Sequence, residues 1–179
     1  MTGREDKQAL FDYILRLGDN ALILGQRLAE WCGHGPELEE DIALTNVALD
    51  FIGQARALLS YAAKVEGKGR SEDDLAFLRE ERAYKNALLT EQPNEDFGRT
   101  IARQFIIDAF NAELYAALSS SSDGALAAIA EKSLKEVKYH FRHSAEWVIR
   151  LGDGTEESHR RIQAAFDDLW AYTGELFAA

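Results

Sequence analysis

The residues that break helices are few in this sequence and are spaced along it at intervals. With only two prolines in 179 residues, the turn formers gather in five clusters. These are Gly33-His34-Gly35-Pro36, Gly67-Lys68-Gly69-Arg70-Ser71, Gln92-Pro93-Asn94, Ser119 to Gly124, and Gly152-Asp153-Gly154-Thr155. They cut the chain into six segments of roughly 18 to 30 residues, too long for strands and right for helices. An all-α bundle of about six long helices, mostly antiparallel because the connections are short, is the expected architecture.

Each segment carries helical spacing. In the first, Leu10, Ile14, Leu17, Ala21, Leu24, Leu28 and Trp31 alternate steps of four and three, the stripe of a packed helix. The second opens on Pro36 followed by Glu37, Glu39, Glu40 and Asp41, carboxylates that favour the positive end of a helix dipole. Its stripe is read as Leu38, Ile42, Thr45, Leu49, Ile52, Leu59 and Ala63. Ser71 with Asp74 starts the third segment, Asn94 the fourth and Thr155 the sixth. The fourth, from Ile101 to Leu118, leaves almost no polar face, so it is expected to lie at the centre of the bundle.

Hydrophobic residues at 46% supply a core for one domain over 1–179. A net charge of −11 argues against nucleic acid or an anionic membrane as partner. No uninterrupted apolar run reaches the ~18 residues of a membrane span. A single cysteine, Cys32, excludes an intrachain disulfide and points to a reducing, cytoplasmic setting.

The informative residues are polar ones on core faces. Gln104, Asp108 and Asn111 form a line along the fourth helix, and Asn46, Asp50 and Gly53 one along the second. On the fifth, Leu126, Ala130, Ser133, Val137, His140, Ser144 and Trp147 trace the inward face, with Glu136 one turn before His140. Buried polar groups need a partner or a purpose. One purpose is a di-iron centre, which takes about four carboxylates and two histidines, two of the pairs being Glu-x-x-His. Three residues before His34, His140 and His143 stand Trp31, Val137 and His140; only His159 follows a carboxylate, Glu156, at a helix start. Asp50-x-x-Gly53 has glycine where an imidazole is required. The ligand count therefore fails. The competing purpose is a hydrogen-bonded or ionic cluster of Asp50, Asp108, Glu136 and His140 with Arg56, Arg103 or Gln104. Cys32 and His34 amount to half a zinc site. Arg142, His143, Arg150, Arg160 and Arg161 read as a solvated face or an interface rim.

Several blocks carry a family resemblance. They are Leu17-Gly18-Asp19-Asn20-Ala21-Leu22, Gln26-Arg27-Leu28-Ala29-Glu30-Trp31-Cys32-Gly33-His34 and Leu49-Asp50-Phe51-Ile52-Gly53-Gln54-Ala55-Arg56. Further on come Glu91-Gln92-Pro93-Asn94, Thr100-Ile101-Ala102-Arg103-Gln104 and Lys135-Glu136-Val137-Lys138-Tyr139-His140. Together they resemble the C subunits of bacterial phenylacetyl-CoA ring epoxidases over nearly the whole chain, which looks C-terminally shortened beside them. The resemblance implies a ferritin-like bundle paired with a homologous A subunit whose di-iron centre epoxidises the aromatic ring. It implies a structural role here, with no catalytic residues, no cofactor and no metal. Asp50, Asp108, Glu136 and His140 are then a degenerate remnant of the site. Trp31, Trp147, Arg150 and Trp170 are candidate interface anchors, and a homodimer in isolation is a further expectation. The alternative is a stand-alone ferritin-like metalloenzyme using that same degenerate site.

Overall fold

The computed structural model describes residues 3–177, which are mostly helical with no strand among them. The helices are α1 (Gly3–Ala29), α2 (Leu38–Glu66), α3 (Glu72–Phe77), α4 (Leu88–Glu91), α5 (Phe97–Leu118), α6 (Gly124–Gly152) and α7 (Glu156–Leu169). A 3₁₀ turn occupies Glu81–Ala83, and another, Trp170–Phe177, follows α7. The described residues are all-α and fall into two compact units. One comprises the chain up to His34 with Asp41–Asn86, the other Gly35–Glu40 with the chain from Ala87 onward.

In the first unit α1 and α2 pair as an antiparallel hairpin. A Cβ placed on Gly18 would lie 2.8 Å from Leu59 Cδ2, and one on Gly25 would lie 3.0 Å from Ile52 Cδ1 and 3.1 Å from the Ala48 carbonyl. Glycines one heptad apart thus let the backbones close in. The α1 stripe is buried from Ile14 to Leu28, with Leu10 and Trp31 half-buried at its ends.

The α2 stripe follows the spacing only at its far end, where Leu59 and Ala63 are buried. The buried face is Leu44, Val47, Ala48, Phe51, Gln54, Ala55, Leu58, Leu59, Ala62 and Ala63. Leu38, Ile42, Leu49 and Ile52 are exposed instead. α2 carries two apolar stripes; α1 buries one and touches the other at Ile52, beside Gly25. That double character also makes α2 long and apolar enough, by length and mean hydropathy (1.2 over 18 residues), to cross a membrane, with 44% of that window buried.

The third segment is not one long helix. The Ser71–Asp74 capping box starts α3 as expected, but α3 ends at Phe77 and the chain runs irregularly to α4. A buried ion pair explains the break. Asp19 of α1 accepts from both terminal nitrogens of Arg79, the Nη1 bond being 2.9 Å, and from the Lys85 backbone N–H at 2.8 Å. Arg79 also donates to the Leu75 and Ala83 carbonyls and lies 4.2 Å from the Tyr84 ring centroid. These bonds satisfy the non-helical backbone that the Arg79-Glu80-Glu81-Arg82 charge run would otherwise expose.

In the second unit α5 and α6 are antiparallel, with Phe97 against Trp147 and Phe105 against Phe141. Tyr115, Ala130 and Val137 make a core cluster. α7 packs on α5 through Phe166 against Phe105 and an Arg99–Asp168 ion pair of 2.5 Å. Asp96, not Asn94, caps α5, accepting from the Arg99 N–H at 2.8 Å. Asn94 instead accepts at 2.8 Å from Arg103, a fully buried arginine that also donates to the Gln92 carbonyl. α5 is surrounded only over its first half, from Gly98 to Asp108; beyond that Tyr115 alone is fully buried.

Candidate functional site: a buried carboxyl between α5 and α6

Asp108 sits on α5 with no exposed surface. Helical spacing puts Gln104 one turn before it, and the Gln104 side-chain amide donates to Asp108 Oδ1 at 2.7 Å. From α6, the Ser144 hydroxyl donates to Asp108 Oδ2 at 2.8 Å. Each oxygen therefore has a donor, and neither donor is charged. Burial outweighs these two bonds and pushes the carboxyl up to about 7. The arrangement can hold or release a proton near neutrality.

His140 is buried on the inward face of α6, one turn before Ser144. That face is Leu126, Ala130, Ser133, Val137, His140 and Ser144, as the spacing indicates, and only Trp147 at its end is half-buried. Glu136 is half-buried on the same helix. Asp50 lies half-buried on α2, in the first unit. Of the cations expected nearby, Arg103 turns to the Gln92–Asn94 loop, and Arg56 reaches Glu72 at 3.4 Å.

Iron or zinc would need several such donors around one point. Among the described residues no group of three or more His, Cys, Asp and Glu comes together in that way. The donor set around Asp108, an amide and an alcohol, suits a proton and does not suit iron. Glu156 and His159 are both exposed, and His159 Nδ1 is 2.8 Å from the Gly152 carbonyl. Cys32 is exposed, and His34 Nδ1 lies 3.1 Å from the Cys32 carbonyl.

The basic string is largely paired. His143 Nε2 meets Glu40 at 2.9 Å, and Arg160 and Arg161 both meet Glu157. Arg142 and Arg150 lie over the rings of Tyr139 and Trp147. Of the tryptophans, only Trp170 is strongly exposed. It borders a cavity of about 470 Å³ with Phe105, Phe110, Phe166 and Phe177, on the face of α5 opposite Gln104 and Asp108.

Two features are not marked by the sequence pattern. Spacing puts Ser144 on the inward face but does not name it as the partner of Asp108; a small hydroxyl among apolar neighbours is the available signal. The Asp19–Arg79 pair joins residues sixty positions apart, and its trace is an aspartate inside the α1 stripe between Leu17 and Ala21.

Comparison with known proteins agrees with the resemblance drawn from the sequence blocks. The family model described as phenylacetic acid catabolic protein matches residues 1–179. The chain is 56% identical over 167 residues to the C subunit of the 1,2-phenylacetyl-CoA epoxidase of Escherichia coli (strain K12). That match covers 93% of this chain and 67% of the relative. By full-length match and close identity, the chain belongs to the phenylacetic acid catabolic protein family.

Proposed function

We propose that this chain is a non-catalytic structural subunit of a multicomponent phenylacetyl-CoA epoxidase in the cytoplasm. It pairs with and supports a homologous A subunit that carries the di-iron centre. In this reading the chain is one ferritin-like domain, and Asp50, Asp108, Glu136 and His140 are what remains of an ancestral metal site. The observation that carries the reading is the pairing of Asp108 with Gln104 and Ser144. Both carboxyl oxygens are engaged by neutral donors on a chain that is 56% identical to the C subunit of an epoxidase. A metal-ligating carboxylate in the same place would turn its oxygens to the metal rather than to an amide and an alcohol. Packing is what would support the A subunit, since obligate partners bury on the order of 2,000 Å² or more.

The test is co-expression with the A subunit, followed by iron analysis of each purified chain. The expected result is co-purification, an A subunit less soluble or less active when expressed alone, and iron only in A. Two irons per copy of this chain would overturn the reading in favour of a metalloenzyme acting alone.

A further inference from the structure

The cavity beside Trp170 is walled by rings from three elements: Phe105 and Phe110 of α5, Phe166 of α7, and Trp170 and Phe177 of the 3₁₀ turn that follows. The rings meet edge to face, Phe105 with Phe166 at 5.9 Å between centroids and Phe110 with Phe177 at 5.4 Å, an arrangement that aromatic quadrupoles favour. Trp170 and Phe177 are 67% and 77% exposed, apolar surface that an occupant of the cavity would shield from water. One charged group borders the cavity. Glu113 stands one turn after Ala109 on α5, exposed, and no described residue pairs with its carboxylate. We infer that this cavity is a binding site for a small organic cation, an arylalkyl amine whose ring enters the aromatic box and whose ammonium group meets Glu113.

Volume, wall and charge each narrow the occupant. About 470 Å³ lies within the ~300–1,000 Å³ of small-ligand sites, which combine apolar walls with a few polar groups. The Thr173 hydroxyl on the wall already donates to the Trp170 carbonyl at 2.8 Å, so its proton is not on offer to a bound carboxylate or phosphate. Among the described residues no cation lines the cavity, and an anionic ligand would face Glu113 with nothing to offset the repulsion. A net charge of −11 acts in the same direction at longer range, drawing cations and repelling anions. An uncharged hydrocarbon would fill the box and leave the carboxylate unused, whereas an ammonium group gains both the carboxylate and the attraction of nearby ring faces. The inference does not rest on the structural-subunit reading, since the cavity lies on the face of α5 away from Asp108.

The test is isothermal titration calorimetry of the full chain with two probes of similar shape and opposite charge, phenylbutylamine and phenylbutyrate, at concentrations up to about 1 mM. The expected result is saturable binding of one amine per chain, about fivefold tighter than the acid, as suits an ion pair at an exposed carboxylate. Glu113→Gln should bring the two affinities together and Glu113→Lys should reverse their order, with helical circular dichroism unchanged because Glu113 is exposed. Ala109→Phe fills the cavity from α5 and should abolish amine binding. Thr173→Phe fills it from the 3₁₀ turn, outside the α5–α6 packing, and should do the same. No binding of either probe, equal binding of both, an amine preference that survives Glu113→Lys, or filled variants that still bind the amine would each overturn the inference. So would an amine that binds the free chain and is excluded from its complex with the A subunit, since the cavity would then be a docking surface for that partner. Iron content and co-purification are separate readouts, so the structural-subunit reading and this one can fail independently.

Discussion

A carboxyl sealed between two helices is most costly when it is charged. Asp108 is held up to about 7 in the folded chain, against 3.8 for an ordinary aspartate. Between those two values the folded state keeps a proton that the unfolded chain has lost, so stability falls as pH rises from about 4 to about 7 and then levels off. Each factor of ten in the proton equilibrium is worth about 1.4 kcal/mol, so the loss is on the order of a few kcal/mol. Asp108→Asn removes the titration while keeping an acceptor for Ser144. Urea unfolding at pH 5 and pH 8 should show the wild type losing more stability than the variant over that interval; equal losses would mean that the carboxyl does not titrate there. Asp19 offers a second residue-scale test. Removing one partner of a buried ion pair leaves the other uncompensated, at a cost of about 3–5 kcal/mol. Arg79→Ala should therefore destabilise by that amount and expose the segment between α3 and α4 to protease. The sequence marks Asp108 as a polar residue on a core face and Gln104 as a candidate partner, which the structure bears out, but it points neither to Ser144 nor to the Asp19–Arg79 pair. Periodicity orders residues along one helix, whereas Ser144 and Arg79 come from other elements.

At the scale of elements, the glycines of the α1–α2 hairpin separate two effects of adding a methyl group. A Cβ added to Gly25 would lie 3.1 Å from the Ala48 carbonyl oxygen and 3.0 Å from Ile52 Cδ1. Gly25→Ala should force the helices apart and destabilise by about 1–3 kcal/mol, as overpacking does. Gly53, exposed and with nothing within 4 Å of an added Cβ, should respond in the opposite way. Gly53→Ala should stabilise by about 0.5–1 kcal/mol through helix propensity alone. Thermal unfolding of the two variants checks both signs. Helix starts at Ser71 and Thr155 and the inward face of α6 are legible because one local signal suffices for each. The buried face of α2 is not. Its two apolar stripes are both regular, and only the position of α1 decides which one is core. The third segment misleads for a related reason: its length suits a helix, but the Arg79–Arg82 charge run interrupts any apolar stripe, and the long-range pair with Asp19 holds what replaces it.

At the scale of the whole molecule, the all-helical class and the extents of the long helices follow from turn spacing, and family membership follows from the sequence blocks. Which surfaces meet partners does not follow, because apolar residues in the core and at an interface share one pattern. α2 carries one buried and one exposed apolar stripe on a single helix. The central proposal is that side chains bonded to one another, and not iron, hold the polar interior between α5 and α6. Its most direct measurement is anomalous diffraction at the iron edge from crystals of this chain in complex with the A subunit. Peaks confined to the A subunit, with none beside Asp108 and His140, are the expected result. A strong peak at Asp108 would contradict it.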